Sequence, residues 1–88
     1  MAHYLICYDI ANPSRLGRVH RRAVRHAIFV QYSVYYLNGS EKELHEMLDE
    51  ISEVINDEED DVRAYPVEPL KNAIQIGQAW LPDEILLL

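Results

Sequence analysis

Strand-like and helix-like segments alternate along this chain in an order that few small folds satisfy. Residues 2–10 form a nearly continuous apolar run, closed by Asp9, which is typical of a central strand buried on both faces. Asn12 and Pro13 then begin a helix, because asparagine caps helices well and proline is favoured at the first helical position. We predict that this helix runs to about Ala27 and has one apolar face.

The middle of the chain predicts two more strands and a second helix. Residues 28–37 are β-branched and aromatic, as strand residues are. Because polar residues interrupt this segment at positions 31–33, we predict strands at 28–31 and 34–37, joined by a tight turn or bulge. Ser40 and Glu43 form a capping box at the start of the second helix. That helix carries an apolar stripe at the helical period: Leu44, Met47, Leu48, Ile51, Val54 and Ile55.

Two further strands are predicted at residues 62–67 and 72–79. The order is then βαββαβ with an extra C-terminal strand, which predicts one α+β domain over residues 1–88 with ferredoxin-like topology. The last stretch of the chain, residues 81–88, is an apolar tail that would expose an apolar patch if left free. It can fold back on its own sheet, or residues 72–88 can cross to a second subunit and complete that subunit's sheet. We favour the second arrangement, a homodimer, with contacts from Ile74, Ile76, Leu81 and Ile85.

Charge is distributed very unevenly along the chain. The formal net charge is −7, which argues against a nucleic-acid partner at first sight. Between Asn12 and Tyr36, however, there are five arginines and no acid, whereas residues 40–61 hold eleven acids and one base. Because local fields decide where a polyanion binds, one basic face on an acidic protein can still hold a phosphate backbone.

The basic face lies on the first predicted helix. Four arginines follow a 3-4-3 spacing and therefore share one side of that helix: Arg15, Arg18, Arg22 and Arg25. A solvated face with ordinary ion pairs is the simpler interpretation, but the helix contains no acid. Since the arginine fork suits phosphate geometry, we predict that these side chains contact nucleic acid.

Asp9 stands at the end of the first strand, just before a helix, where functional residues often lie. An Asx turn into the following helix is the simpler structural role. The sequence places few other carboxylates near Asp9, so one chain alone does not predict a magnesium site. Mg²⁺ is often held by one or two carboxylates with water and phosphate oxygens. Two Asp9 side chains facing each other across a dimer axis would provide them.

The tyrosines and histidines allow weaker predictions. Tyr8 and Tyr35 are typical half-buried strand residues, although their hydroxyls can line a site and tyrosines near a basic patch can stack on bases. The four histidines lack the spacing of zinc ligands. Cys7, the single cysteine, cannot form an internal disulfide, and the sequence shows no apolar run long enough to span a membrane. We expect no secretory leader, because the first residues lack the basic-then-apolar pattern of one. We therefore expect a cytoplasmic protein without a membrane partner.

Four motifs in order resemble the CRISPR-associated protein two family, the small adaptation proteins found beside the CRISPR integrase. They are Tyr8-Asp9-Ile10, Val30-Gln31-Tyr32-Ser33-Val34-Tyr35, Asp61-Val62-Arg63-Ala64-Tyr65-Pro66-Val67 and Ile76-Gly77-Gln78. The resemblance covers nearly the whole chain. The sequence departs from the family pattern at two places. Phe29 stands where the family often has arginine, and the glycine that often ends the first helix in the family is missing here.

The resemblance implies a ferredoxin-like homodimer in which the last strand completes the partner's sheet. It also implies a dimer that bridges integrase dimers and holds spacer DNA for insertion into the CRISPR array. A metal-dependent endonuclease activity on single-stranded RNA or double-stranded DNA is implied as well, with Mg²⁺ held between paired Asp9 side chains. Arg15 and Arg18 match basic positions of the family, Ser33 matches its serine, and Tyr35 stands where phenylalanine is usual.

Two other functions remain open at this point. A toxin-type ribonuclease that resembles virulence-associated protein D would share the fold. A ferredoxin-like regulatory module would bind a small molecule at its dimer interface and would show no salt-dependent binding of nucleic acid.

Overall fold

The computed structural model describes residues 2–74 and residue 76. Its elements follow the predicted order: strand β1 (Ala2–Asp9), helix α1 (Pro13–Ala23), strands β2 (Ile28–Gln31) and β3 (Val34–Gly39), helix α2 (Glu41–Ser52) and strand β4 (Asp61–Pro66), followed by a short 3₁₀ turn (Leu70–Asn72). The predicted βαββαβ order is therefore confirmed within these residues.

The four strands form one antiparallel sheet in the order β2-β3-β1-β4. β1 lies in the middle and pairs with both β3 and β4. The tight turn predicted inside residues 28–37 separates β2 from β3, and a register shift between Phe29 and Gln31 marks the bulge. Ser33 in this turn has φ 62°, in the left-handed region. This strand order with two helices is the ferredoxin-like fold.

Both helices begin where their caps predict. The Asn12 side chain accepts hydrogen bonds from the Ser14 and Arg15 N–H groups at 2.8 and 3.1 Å, and Pro13 is the first residue of α1. Ser40 Oγ accepts from the Glu43 N–H at 3.1 Å and caps α2. Each cap satisfies N–H groups that the first helical turn leaves without partners.

The first helix ends earlier than predicted. The prediction of a helix to about Ala27 is wrong, because α1 stops at Ala23. The N–H groups of Arg25 and His26 bond carbonyls three residues back, which tightens the chain into turns. Ala27 still donates to the Ala23 carbonyl at 3.0 Å, and β2 begins at the next residue. These turns thus end the helix at a place where the family often has a glycine.

Both helices pack on the same face of the sheet. The residues of this core are largely those that the apolar stripes predict: Ile6, Tyr8, Val19, Ala23, Tyr35, Leu37, Leu44, Met47 and Ile51. Side chains alternate between the faces of a strand. Leu5, Cys7 and Asp9 of β1 therefore share the opposite face, which we call the open face, with Arg63 and Tyr65 of β4.

Of the predicted strand at residues 72–79, the structure describes residues 72–74 and 76, and the others lie outside the described residues. Asn72 belongs to the 3₁₀ turn, and Ile74 and Ile76 are in no strand. The side chains of Ile74 and Ile76 are 96% and 98% exposed. The predicted contacts of Leu81 and Ile85 lie outside the described part of the chain.

Candidate functional site

Asp9 is the last residue of β1 and is exposed on the open face. In the antiparallel register it lies opposite Asp61, the first residue of β4. Residues directly opposite in such a pair have Cβ atoms about 5 Å apart. Within one chain, the strand pairing therefore brings one further carboxylate, that of Asp61, close to Asp9. The pairing of the first strand with the last one is the signal that would have found Asp61.

The two carboxylates differ in their partners. Asp61 accepts a hydrogen bond from Arg63 Nε at 2.8 Å. Within the described residues the Asp9 side chain has no hydrogen bond or ion pair, and Asn12, not Asp9, makes the turn into α1. A shallow concavity of about 200 Å³ lies over the pair, lined by Cys7, Tyr8, Asp9, Asp61, Arg63 and Tyr65. Asp9 is thus available to a ligand from solvent.

Mg²⁺ prefers oxygen ligands and is often bound through one or two carboxylates, with water and substrate phosphate completing its shell. Asp9 and Asp61 fit this requirement. Among the described residues there is no group of three or more histidine, cysteine or acidic side chains that could enclose a metal ion. The donor set therefore suits an open magnesium site and not a closed protein cage.

Tyr8 and Tyr35 are buried on the helix side of the sheet, behind Asp9. The Tyr8 hydroxyl donates to the Tyr35 hydroxyl at 2.9 Å, and the Tyr35 hydroxyl also bonds His20 Nδ1. Burial raises the pKa of both phenols, so they stay neutral at physiological pH. The burial of their rings agrees with the structural role that is typical of strand tyrosines.

Ser33 supports the end of β1 through its backbone. The Ser33 carbonyl accepts the Tyr8 N–H at 3.1 Å, one residue before Asp9. The left-handed conformation of Ser33 is part of the tight turn between β2 and β3. This turn therefore helps to fix the strand end that carries Asp9.

Three of the four arginines predicted to contact nucleic acid are paired with acids from other elements. Arg15 Nε and Nη2 donate to Asp60 at 2.9 and 3.2 Å. Arg22 lies 3.2 Å from Glu53. The first helix itself contains no acid, but α2 and the loop after it supply acidic partners, so ordinary ion pairs form on this face.

Arg25 also has an acidic partner, Glu50, at 3.0 Å. Glu50 bonds His26 as well, and the hydrogen bond from His26 and the Arg25 contact lower the pKa of the Glu50 carboxyl. In contrast, Arg18 is exposed and has no ion pair with a described residue. The same holds for Arg21, which the sequence did not single out. These two are the α1 arginines whose charge the described acids leave uncompensated.

The structure places Asp60 at the centre of a contact that sequence reasoning missed. Its side chain is fully buried and accepts hydrogen bonds from Arg15 and from the N–H groups of Ala11 and Asn56. The Arg15 hydrogen bonds and the two backbone bonds hold the pKa of this carboxyl well below its usual range. Nothing in the acidic run at residues 57–61 distinguishes Asp60 before the fold is known.

The fold and this strand-end site define a small ferredoxin-like α+β protein with an exposed carboxylate after its first strand. The model of the family "CRISPR associated protein Cas2" matches residues 1–72. A curated relative from Nitrosomonas europaea, named CRISPR-associated endoribonuclease Cas2 1, is 36% identical over 85 residues, which are 97% of this chain and 81% of the relative. The chain therefore belongs to the CRISPR-associated Cas2 family, and the resemblance drawn from the four motifs is confirmed.

A second relative, CRISPR-associated endoribonuclease Cas2 2 from Thermodesulfovibrio yellowstonii, is 45% identical over 64 residues, or 73% of this chain and 70% of the relative. The solved structure of Streptococcus pyogenes Cas2 at pH 6.5 has a TM-score of 0.73 at 22% identity and covers 85% of this chain and 99% of that chain. A chain in a structure described as a partial Cas6-RT-Cas1–Cas2 complex has a TM-score of 0.57 at 22% identity, covering 86% and 91%. These structures agree with the fold.

No helix of the described residues has the length and apolar character needed to cross a membrane.

Proposed function

We propose that this chain is a CRISPR adaptation protein. As a homodimer it bridges integrase dimers and holds the spacer DNA that they insert into the CRISPR array. Family membership supports this function, as does the description of a similar chain in a Cas1–Cas2 complex. The observation that supports the dimer is the exposure of two apolar side chains after β4, those of Ile74 and Ile76, which are 96% and 98% exposed.

A second activity is supported by a specific observation: the Asp9 carboxylate lies opposite Asp61 and has no partner among the described residues. We propose Mg²⁺-dependent cleavage of phosphodiester bonds at this position, with single-stranded RNA or double-stranded DNA as substrate. Asp9 and Asp61 would hold the ion, and Asp9 of a second protomer would add a further carboxylate across the dimer axis. Bound there, Mg²⁺ supplies charge neutralisation at the phosphate and activation of water. The names of the two curated relatives support a ribonuclease.

The chain's own residues prepare this site without the metal. The Ser33 carbonyl and the pairing with β4 fix the end of β1, so the Asp9 carboxylate is presented from a rigid strand. Arg63 donates to Asp61 and orients that carboxylate. The concavity over the pair is open, so a nucleic-acid backbone can reach it.

Mixing experiments test the bridging function. Sedimentation should show a dimer of this chain, and addition of the CRISPR integrase and duplex DNA should give a larger complex that contains all three. A chain that stays monomeric, or that forms no complex with the integrase, would contradict the proposal. A regulatory module would instead bind a small molecule and show no salt-dependent binding of DNA.

The exposed isoleucines allow a test of the dimer. We expect the double variant Ile74→Asn, Ile76→Asn to raise the monomer–dimer dissociation constant at least about 10-fold, because each buried isoleucine contributes about 1.5–3 kcal/mol. Val24→Asn is the matched control, since Val24 is also exposed but lies at the end of α1. Analytical ultracentrifugation over a concentration series measures the constant. A double variant that dimerises like the control would exclude these residues from the interface.

DNA binding should distinguish the arginines that the sequence treats alike. Arg18 has no described acid partner, whereas Arg22 is paired with Glu53 and lies 4.0 Å from Glu50. We expect Arg18→Gln to weaken duplex binding and to reduce the slope of log K against log salt by about one. Arg22→Gln should have a smaller effect. Fluorescence anisotropy at several salt concentrations measures both, and equal slopes for the two variants would contradict this assignment.

A further inference from the structure

A cavity of about 350 Å³ lies between α1 and the turn that joins β2 to β3, on the helix side of the sheet. The concavity over Asp9 lies on the open face, and Tyr8 lines both. Aromatic side chains form much of its wall. The complete lining is Tyr8, Pro13, Leu16, Gly17, His20, Arg21, Phe29, Tyr32, Ser33 and Tyr35.

The aromatic rings of this cavity have free surface. Phe29 is 45% exposed and Tyr32 is 74% exposed. Phe29 is held edge-on against Tyr35 and His20, with ring centroids 5.7 and 6.1 Å apart, so its orientation is fixed by packing. Exposed, oriented rings beside basic residues are the surfaces on which unpaired bases stack.

The polar groups of the cavity match the remaining parts of a nucleotide. The Tyr8 hydroxyl, the Tyr35 hydroxyl and His20 Nδ1 bond one another in the cavity wall, which leaves His20 Nε2 without a hydrogen bond to a described residue and able to bond the edge of a base. Arg21 lines the cavity and has no ion pair with a described acid, and the neighbouring Arg18 on α1 is likewise free of one. On a chain with net charge −7, an uncompensated arginine beside an aromatic cavity favours an anionic aromatic ligand.

We infer that this cavity binds one unstacked base of a single-stranded nucleic acid, with the adjoining phosphate on Arg21. The base stacks on Phe29 and Tyr32. A protein segment with an apolar side chain is the competing occupant, but it would use neither the arginine nor the polar groups at the cavity wall. This inference rests on the proposed function in nucleic-acid handling and adds to it a single-strand site on the helix side of the sheet.

Anisotropy with a labelled oligo(dT) strand of about ten nucleotides tests the inference on the full chain, because one small domain covers strands of about that length. We expect Phe29→Ala and Tyr32→Ala each to weaken binding of this strand about 10-fold. Binding of a blunt duplex should be unchanged. Arg21→Gln should weaken single-strand binding and lower its salt slope. Val24→Ala is the control, since Val24 is 47% exposed and outside the cavity.

The outcomes separate the cavity from the proposed function. Tyr32 is a turn residue, so Tyr32→Ala should leave the fold intact. If this variant binds oligo(dT) like the wild type, the inference is overturned. Duplex binding by the same protein would leave the proposed function standing. If Phe29→Ala and Tyr32→Ala lose association with the integrase but bind oligo(dT) like the wild type, the inference is also overturned, and a protein segment occupies the cavity instead. A wild-type chain that binds neither probe would contradict both.

Discussion

Asp9→Asn should abolish Mg²⁺-dependent cleavage by this chain while leaving its fold and its dimer intact. The substitution keeps the size of the side chain but removes the negative charge from a carboxylate that has no partner among the described residues. Metal coordination contributes several kcal/mol to phosphate chemistry, so we expect a loss of at least about 100-fold in rate. Thermal unfolding should change little, because Asp9 is exposed and supports no described contact.

The measurement is cleavage of labelled single-stranded RNA and duplex DNA by the purified dimer, with Mg²⁺ or with a chelator. Asp49→Asn is the matched control, since it makes the same chemical change at an exposed position of α2. Asp61→Asn should lower the rate as well if both strands hold the ion. Full activity in Asp9→Asn would exclude this site. No cleavage by the wild-type chain would contradict the nuclease proposal and leave the bridging function untouched.

The fold could be predicted from sequence because its signals are local. The caps at Asn12 and Ser40 and the apolar stripe of α2 each act within one turn or one helix face. Both caps are confirmed, and the stripe is confirmed from Leu44 to Ile51, but Val54 and Ile55 lie beyond the end of α2 at Ser52. The end of α1 could not be placed in this way. It is set by turn hydrogen bonds to Ala23 and Arg22 that lead directly into β2, and no glycine or proline marks it.

The candidate site was predicted in part. Position at a strand end singled out Asp9, but Asp61 is 52 residues away in sequence and comes close only through the pairing of β1 with β4. The arginine face shows the opposite error. The spacing of the arginines correctly predicted that they share one face of α1. The acids that pair with Arg15, Arg22 and Arg25, however, come from α2 and its following loop. Long-range charge pairing is not encoded in local spacing.

Loss of the Asp60 carboxylate should lower the stability of the whole domain, because this side chain makes the long-range contacts described above. Its buried carboxylate joins Ala11 before α1, Arg15 within α1 and Asn56 after α2. In Asp60→Asn the amide nitrogen faces the donors of Arg15 or a backbone N–H, so at least one donor loses its acceptor. We expect the melting temperature at pH 7 to fall by about 10 °C.

The same contact predicts how stability depends on pH. The pKa of Asp60 is lower in the folded chain than in the unfolded chain, so its contribution is complete above a pH of about 5 and declines as the pH falls through and below about 4. Glu50 shifts in the same direction and adds to this acid dependence. Asp60→Asn should therefore melt at a temperature that changes less between about pH 5 and pH 3, and its difference from the wild type should shrink on acidification.

Thermal denaturation followed by circular dichroism across this pH range measures both effects. Asp57→Asn provides the control, because it makes the same change in the same loop at an exposed side chain. Arg15→Gln should reproduce part of the loss, and the double variant should lose less than the sum of the two single variants, since both remove one contact. An Asp60→Asn protein that melts like Asp57→Asn at pH 7 would show that the buried carboxylate does not hold α1 to the loop before β4.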